Sequence, residues 1–431
     1  MSIDNTSNWN AIPGQDTIER THTANGITLL CYSNPASKSV YVSGLLACGG
    51  KLDPAEKLGL AHFTAGMLLR GTQDFTFQQI HQQLEAVGAN LSFNASTNHT
   101  WFRGRSLIED LPMLMEILTS CLTRPTFPEE YIERLRNQLL TGLAIRDQDT
   151  ADVASLEFDR HLFPNHPYGW PVDGYKETVA AISREDILQF HQTHYSPADA
   201  MLVMAGALSV EEMQATVSAT LEKWKAALKM ENPALPVLKP LEETIRKHFF
   251  IPEKSQADIV MGCIGPARPS PDYLPVFVGN HVLGQFGLYG RIGEAVRTQA
   301  GLAYYASSNV QSWEDTGAWE FSAGVNPKNI EKTIRLIQKE MHEFIQKGVR
   351  QDELDDSVSH LIGKLPLSLE SNAGISNAIM AMERFSLGLD YFRNYPQHLR
   401  NITREQIMGA ARTYLNPERL VIISAGPQEE S

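Results

Sequence analysis

The chain is 431 residues long, 42% apolar and 20% charged, with a net charge of −13. Its length exceeds one ordinary core, so two or three domains are expected. The acidic balance argues against a general binder of nucleic acid or anionic membrane, and is compatible with a soluble protein that handles basic or mixed peptides.

In chain order, residues 1–24 are polar, carry Pro13 and Gly14, and read as an arm laid against the body. They show no basic stretch followed by an apolar one, and no apolar run in the chain reaches transmembrane length, so a cytoplasmic protein is expected. Cys31, Cys48, Cys121 and Cys263 include no C-x-x-C pair, which argues against zinc-ribbon and thioredoxin-type sites. Their apolar neighbours suit buried thiols in a reducing compartment.

Segments 26–32 and 39–47 are β-rich and apolar, with Asn34 and Pro35 between them, and predict paired strands. A buried helix around His62 follows, then an amphipathic helix over 77–87 ended by Gly88. Alternation over 89–98 and 100–107 predicts a hairpin. Residues 108–147 and 151–163 read as helices broken at Pro125, Pro128 and Asp149–Thr150. A helix over 183–195 leads to a strand over 200–205 that stops at Gly206.

That last helix and strand recur. Ile182-Ser-Arg-Glu-Asp-Ile187 is similar to Ile402-Thr-Arg-Glu-Gln-Ile407, and Pro197 with Pro417 and Gly206 with Gly426 keep the same offset of 220. Agreement through helix, turn and strand points to duplication. The chain is therefore expected to be α+β, with two homologous domains, each an antiparallel-rich sheet with helices packed on one side. The domains are expected at 1–230 and 248–431, joined by a charged, proline-bearing linker at 231–247 that includes Pro233, Pro236 and Pro240. The second half restarts with a strand over 257–264 and carries further amphipathic helices over 330–348 and 351–364, the second stopping before Pro366.

Two stretches carry the chemistry. The first is Gly59-Leu60-Ala61-His62-Phe63-Thr64-Ala65-Gly66-Met67 with Gly71-Thr72 beyond it. It resembles the inverted zinc-peptidase helix H-x-x-E-H of the pitrilysin/insulinase-type metallopeptidase family. His62 stands at the first zinc ligand, Ala65 at the water-activating Glu, and Gly66 at the second ligand. The resemblance puts a third ligand, a Glu, on a later helix. Gly142 stands there, 76 residues past Gly66, in a register supported by the L-F-P-N-H-P-Y-G run ending at Gly169. A catalytic zinc needs three protein ligands and an open position. No zinc is expected on this chain, and His62 is expected to be a packed or capped helix histidine.

The second stretch, 283–305, resembles the same family's signature L-G-G-x-x-x-S-R-L-x-x-x-L-R-x-x-x-G-L-A-Y, with Gln285, Tyr289 and Gly290 departing from it. The resemblance assigns a catalytic Arg and Tyr seven residues apart, here Arg297 and Tyr304. A phenol O–H and a guanidinium are suitable donors for the oxyanion and carbonyls of a peptide under attack. The competing readings are a helix-end ion-pair residue and a strand-core aromatic. The resemblance also makes the 89–98 strand a substrate-binding edge, with Asn94 and Ala95 at the family's N-A pair, where a plain edge strand is the alternative.

What the resemblance implies is a non-catalytic subunit of a heteromeric zinc peptidase. The zinc and H-x-x-E-H would lie on a homologous partner, and a peptide would be the substrate. The alternatives are a catalytically inert scaffold of the same fold, like the core subunits of respiratory complexes, or a homodimeric peptide-binding protein. His191 and His194, spaced i,i+3, read as a solvent-facing pair. The glycine-rich 284–290 lacks G-x-G-x-x-G and a P-loop lysine, so a nucleotide site is not expected.

Overall fold

The computed structural model describes residues 9, 12–225 and 235–427. Much of the polar arm, and linker residues 231–234 with Pro233 among them, lie outside the described residues.

Among the described residues, eleven strands form two sheets. The first holds β1 (Ile18–His22), β2 (Thr28–Ser33), β3 (Ser39–Leu46), β4 (Asn90–Ala95), β5 (Thr100–Leu107) and β6 (Met201–Gly206), in the order β1-β2-β6-β3-β5-β4. The second holds β7 (Ile245–Phe250), β8 (Ala257–Gly265), β9 (Ala303–Ser312), β10 (Gly317–Val325) and β11 (Val421–Gly426), in the order β7-β11-β8-β10-β9. Without β1 the two orders are the same topology. The pairs β2–β6 and β7–β11 are parallel, and every other pair is antiparallel. The repeat seen in the sequence is structural. Helices Arg184–His194 and Arg404–Tyr414 both open with a capping box, from Ser183 and Thr403, and lead to β6 and β11 at the same offset. The fold is α+β with two homologous halves.

Each sheet buries one face under helices of its own half. In the first sheet Leu29, Val42, Phe102 and Met204 pack with Phe63, Leu118 and Ile187. In the second, Met261, Trp319 and Phe321 pack with Val278, Ile337 and Ile407. Each sheet also takes one helix from the other half of the sequence. Helix Asn372–Arg384 lies on β3 and β6, where Ser43 and Ser376 hydroxyls meet at 2.6 Å. Helix Thr150–Leu162 lies on β8 and β11, with Phe158 and Leu162 against Val260 and Ile423.

The compact units are accordingly not contiguous. One comprises 1–143, 171–235 and 366–394; the other comprises 144–170, 236–365 and 395–431. The contiguous division at 231–247 expected from the sequence differs from these units in the exchanged segments. β7 also begins at Ile245, inside the stretch expected as linker. Its charged run Arg246, Lys247 and His248 is exposed on an edge strand. The helix expected to stop before Pro366 runs on as Gln351–Ser368, with the proline in its last turn and its buried stripe Leu354, Leu361 and Leu365 ending just before it. Among the described residues, no helix is long and apolar enough to cross a membrane.

Candidate functional site

In the first unit, the degenerate zinc stretch is the helix Leu60–Met67. Gly59, at φ +99°, makes the left-handed turn into it, a conformation costly for other residues. Asp53 caps this helix from outside: its carboxylate accepts the N–H groups of Gly59 at 2.8 Å and Ala61 at 2.9 Å. Asp53 is buried, and burial raises its pKa to about 7 against the opposing pull of those N–H donors. Sequence reading missed Asp53, whose only signal is a carboxylate a few residues ahead of a glycine and an apolar helix.

His62 is half-buried on that helix, and desolvation lowers its pKa against the charge of Asp173. Ala65 is buried. A Cβ on Gly66 would stand 3.0 Å from Leu135 Cδ2, so a core leucine fills the space beside it. Gly142, on the helix Glu129–Arg146, is exposed, and a Cβ there would meet nothing within 4 Å. A catalytic zinc of the kind this family binds does not fit these residues. One imidazole remains, no donor replaces the others, and Leu135 closes on the second ligand position. No group of three or more potential ligands occurs among the described residues.

Asn94 and Ala95 end β4, paired with Trp101 and Thr100 of β5. β4 is the last strand of its sheet, so one side of it is unpaired. Asn94 is exposed and Ala95 faces the core.

In the second unit, Arg297 and Tyr304 both sit on local irregularities. Helix Phe286–Gly293 passes into a π-turn, Glu294–Gln299, which carries an exposed Arg297. Such turns are rare, and they recur at functional sites. Gly301, at φ +61°, then leads into β9. There Tyr305 opposes Gly324 while Ala303 opposes Val325, so Tyr304 is the extra residue of a β-bulge. A bulge re-aims a side chain, and Tyr304 is 63% exposed. The strand-core aromatic is instead Tyr305, whose hydroxyl donates to Asp258 at 2.6 Å. Asp258 is 1% exposed and also accepts from Thr150 and Gln256. This buried carboxylate anchors the strand next to the bulge, and burial beside it pushes the Tyr305 phenol well above its usual range.

One departure from the signature, Gln285, has a visible role in loop shape. The Gln285 amide donates to Ser308 O of β9 at 3.2 Å, and a Cβ on Gly284 would overlap Ser308, so the loop lies directly on the strand. Arg291 is tied to Glu353 and to the Gly348 carbonyl, which makes it an anchor of this segment.

The His191–His194 pair is not solvent-facing. The His191 Nε2–H donates to Leu122 O at 3.0 Å, and the ring packs on Phe127 and Tyr195. Burial lowers its pKa to about 4, which makes it a neutral core-edge histidine.

The duplicated α+β fold is that of a peptidase-like protein, as comparison with known proteins shows. The family description Insulinase (Peptidase family M16) matches residues 28–172, and the description Peptidase M16 inactive domain matches residues 181–361. An uncharacterized zinc protease of Streptomyces coelicolor is 28% identical over 373 residues, covering 85% of this chain and 80% of its own. One of Bacillus subtilis is 24% identical over 357 residues, covering 82% and 85%. The crystal structure of a peptidase M16 inactive domain from Pseudomonas fluorescens matches with a TM-score of 0.87 at 28% identity, covering 96% of this chain and 98% of that one. A Helicobacter pylori protease reaches a TM-score of 0.88 at 17% identity, covering 96% and 100%, which speaks to the fold. The chain belongs to the insulinase (M16) peptidase family.

Proposed function

We propose that this chain is the non-catalytic subunit of a heteromeric zinc metallopeptidase that hydrolyses peptides or unfolded polypeptides. Its zinc would lie on a homologous partner carrying H-x-x-E-H, and the reaction would take place in a reducing, cytoplasmic setting. The observation that carries this reading is an asymmetry within one chain. The degenerate zinc-site positions His62, Ala65, Gly66 and Gly142 hold a single imidazole, whereas Arg297 and Tyr304 stand exposed on a π-turn and a bulge.

In this reading, the unpaired side of β4 at Asn94 and Ala95 takes an extended peptide as an added strand, its N–H and C=O groups completing the ladder. The Tyr304 hydroxyl donates to the oxyanion that forms when the scissile carbonyl is attacked. The Arg297 fork holds a substrate carbonyl or a terminal carboxylate. Zinc on the partner supplies the activated water.

The test is metal and peptide turnover, measured on the lone chain and on the chain co-purified with an H-x-x-E-H homologue. The expected result is no stoichiometric zinc and no cleavage for the lone chain, and both for the complex. Stoichiometric zinc with robust cleavage in the lone chain contradicts the proposal. Assembly into a larger complex without any peptidase activity favours the inert-scaffold alternative.

A further inference from the structure

We infer that the peptide added to β4 is acidic, with carboxylate side chains at alternate positions that lie over Arg103 and Arg105. This rests on reading β4 as the peptide-binding edge.

The register supplies the geometry. Asn90, Ser92 and Asn94 of β4 oppose Arg105, Arg103 and Trp101 of β5. Side chains alternate along a strand, so these six share one face of the sheet. It is the face opposite the core formed by Leu91, Ala95 and Phe102. Asn90, Ser92, Asn94, Arg103 and Arg105 are exposed. In this register none of the six strands carries an Asp or Glu on that face. Arg20 on β1 is there too, but it is bound by Glu383 at 2.8 Å. Among the described residues, Arg103 and Arg105 form no ion pair. The Arg103 guanidinium instead lies 5.4 Å from the centre of the Trp101 ring, and that of Arg384 lies 5.5 Å from the same ring.

A chain of net charge −13 thus presents, beside its unpaired edge, a strip whose strand-borne charges are all positive. A strand docked on β4 would lie about 5 Å from it and about 10 Å from β5. Its side chains on this face would project beside Asn94, Ser92 and Asn90 in turn, two residues apart. The short Ser92 and Asn90 leave the long arginines behind them free to meet a Glu or Asp with a charge-assisted fork. The position beside Asn94 faces Trp101, and an aromatic or apolar side chain suits it. The recognised pattern is therefore aromatic-x-acid-x-acid, read along β4 in either direction. This is opposite to the basic peptides that the net charge alone suits.

The experiment uses the full chain and fluorescence anisotropy with labelled extended peptides of one scaffold. The two alternate positions carry Glu, Gln or Lys, and a further Glu peptide has methylated backbone nitrogens. The Glu peptide is expected to bind at least about tenfold more tightly than the Gln peptide, a difference of about 1.4 kcal/mol. The Lys peptide is expected to bind weakest, and the Glu advantage to shrink with salt. Arg103→Glu with Arg105→Glu is expected to invert the order in favour of Lys. Equal binding of Glu, Gln and Lys peptides, with loss on backbone methylation, overturns the acidic preference and leaves the edge reading standing. No binding of any peptide, or binding indifferent to methylation, overturns both. The wild-type series and its salt dependence decide the matter even if the doubly reversed variant does not fold.

Discussion

Tyr304 and Tyr305 are neighbours of one type with opposite situations, and the difference is a single extra residue in β9. Tyr305 sits in register with Gly324 and gives its hydroxyl to a carboxylate sealed in the unit. Tyr304 falls out of register and is turned outward. Tyr305→Phe would leave Asp258 with one donor fewer in a buried site, so it is expected to destabilise the protein by about 1–3 kcal/mol. Chemical denaturation checks this, and an unshifted midpoint counts against the anchoring role. The family resemblance singles out Tyr304, seven residues past Arg297. The sequence does not mark the bulge, because a bulge depends on which residue of β10 is opposed, and that is a property of pairing. Asp53 escaped for a similar reason. It caps a helix it does not belong to, through a left-handed turn that only the folded backbone reveals.

Helices and strands were legible where periodicity and punctuation agree, as in the capped helices ending at His194 and Tyr414 and the strands that follow them. They were not legible at a local breaker: Pro366 reads as a stop, yet the helix continues to Ser368. The pairing of helix Thr150–Leu162 with the second sheet was also invisible, since it joins residues far apart in the chain. It places Asp159 near Glu320 of β10. Burial holds both carboxyls up, Asp159 to about 8 with the help of the Glu320 charge, and Glu320 to about 7. The folded unit therefore keeps protons that the unfolded chain releases near pH 4. Folding takes up protons across that interval, so stability falls as pH rises from about 4 to about 8. Asp53 acts in the same direction in the first unit. Glu320→Gln is expected to flatten this decline by about 1 kcal/mol or more between pH 5 and pH 9. Denaturation midpoints across that range check it, and a slope equal to wild type contradicts it.

At the scale of the molecule, duplication was legible from the 220-residue offset, and both sheets repeat one strand order. The exchange of segments was not, because a repeat reveals which stretches are alike and not which sheet each one covers. Its consequence is testable. Residues 1–230 alone lack helix Asn372–Arg384, which lies on the face holding Leu45 and Val203, buried to 1% and 0%. Residues 248–431 alone lack helix Thr150–Leu162 with Phe158 and Leu162. Each piece would expose an apolar sheet face. Expressed separately, both are expected to aggregate, and co-expressed they are expected to co-purify as a soluble pair. Two independently soluble, cooperatively folding halves would contradict this.

Under the proposed function, this chain contributes donors from its outward Arg/Tyr segment to a reaction whose metal lies on a partner. The most direct measurement is the peptide turnover of the complex with an H-x-x-E-H partner, comparing wild type with Tyr304→Phe. Loss of one oxyanion donor predicts a fall in kcat of about 10²-fold with assembly and zinc content unchanged. Turnover at the wild-type level in the assembled variant would contradict the account.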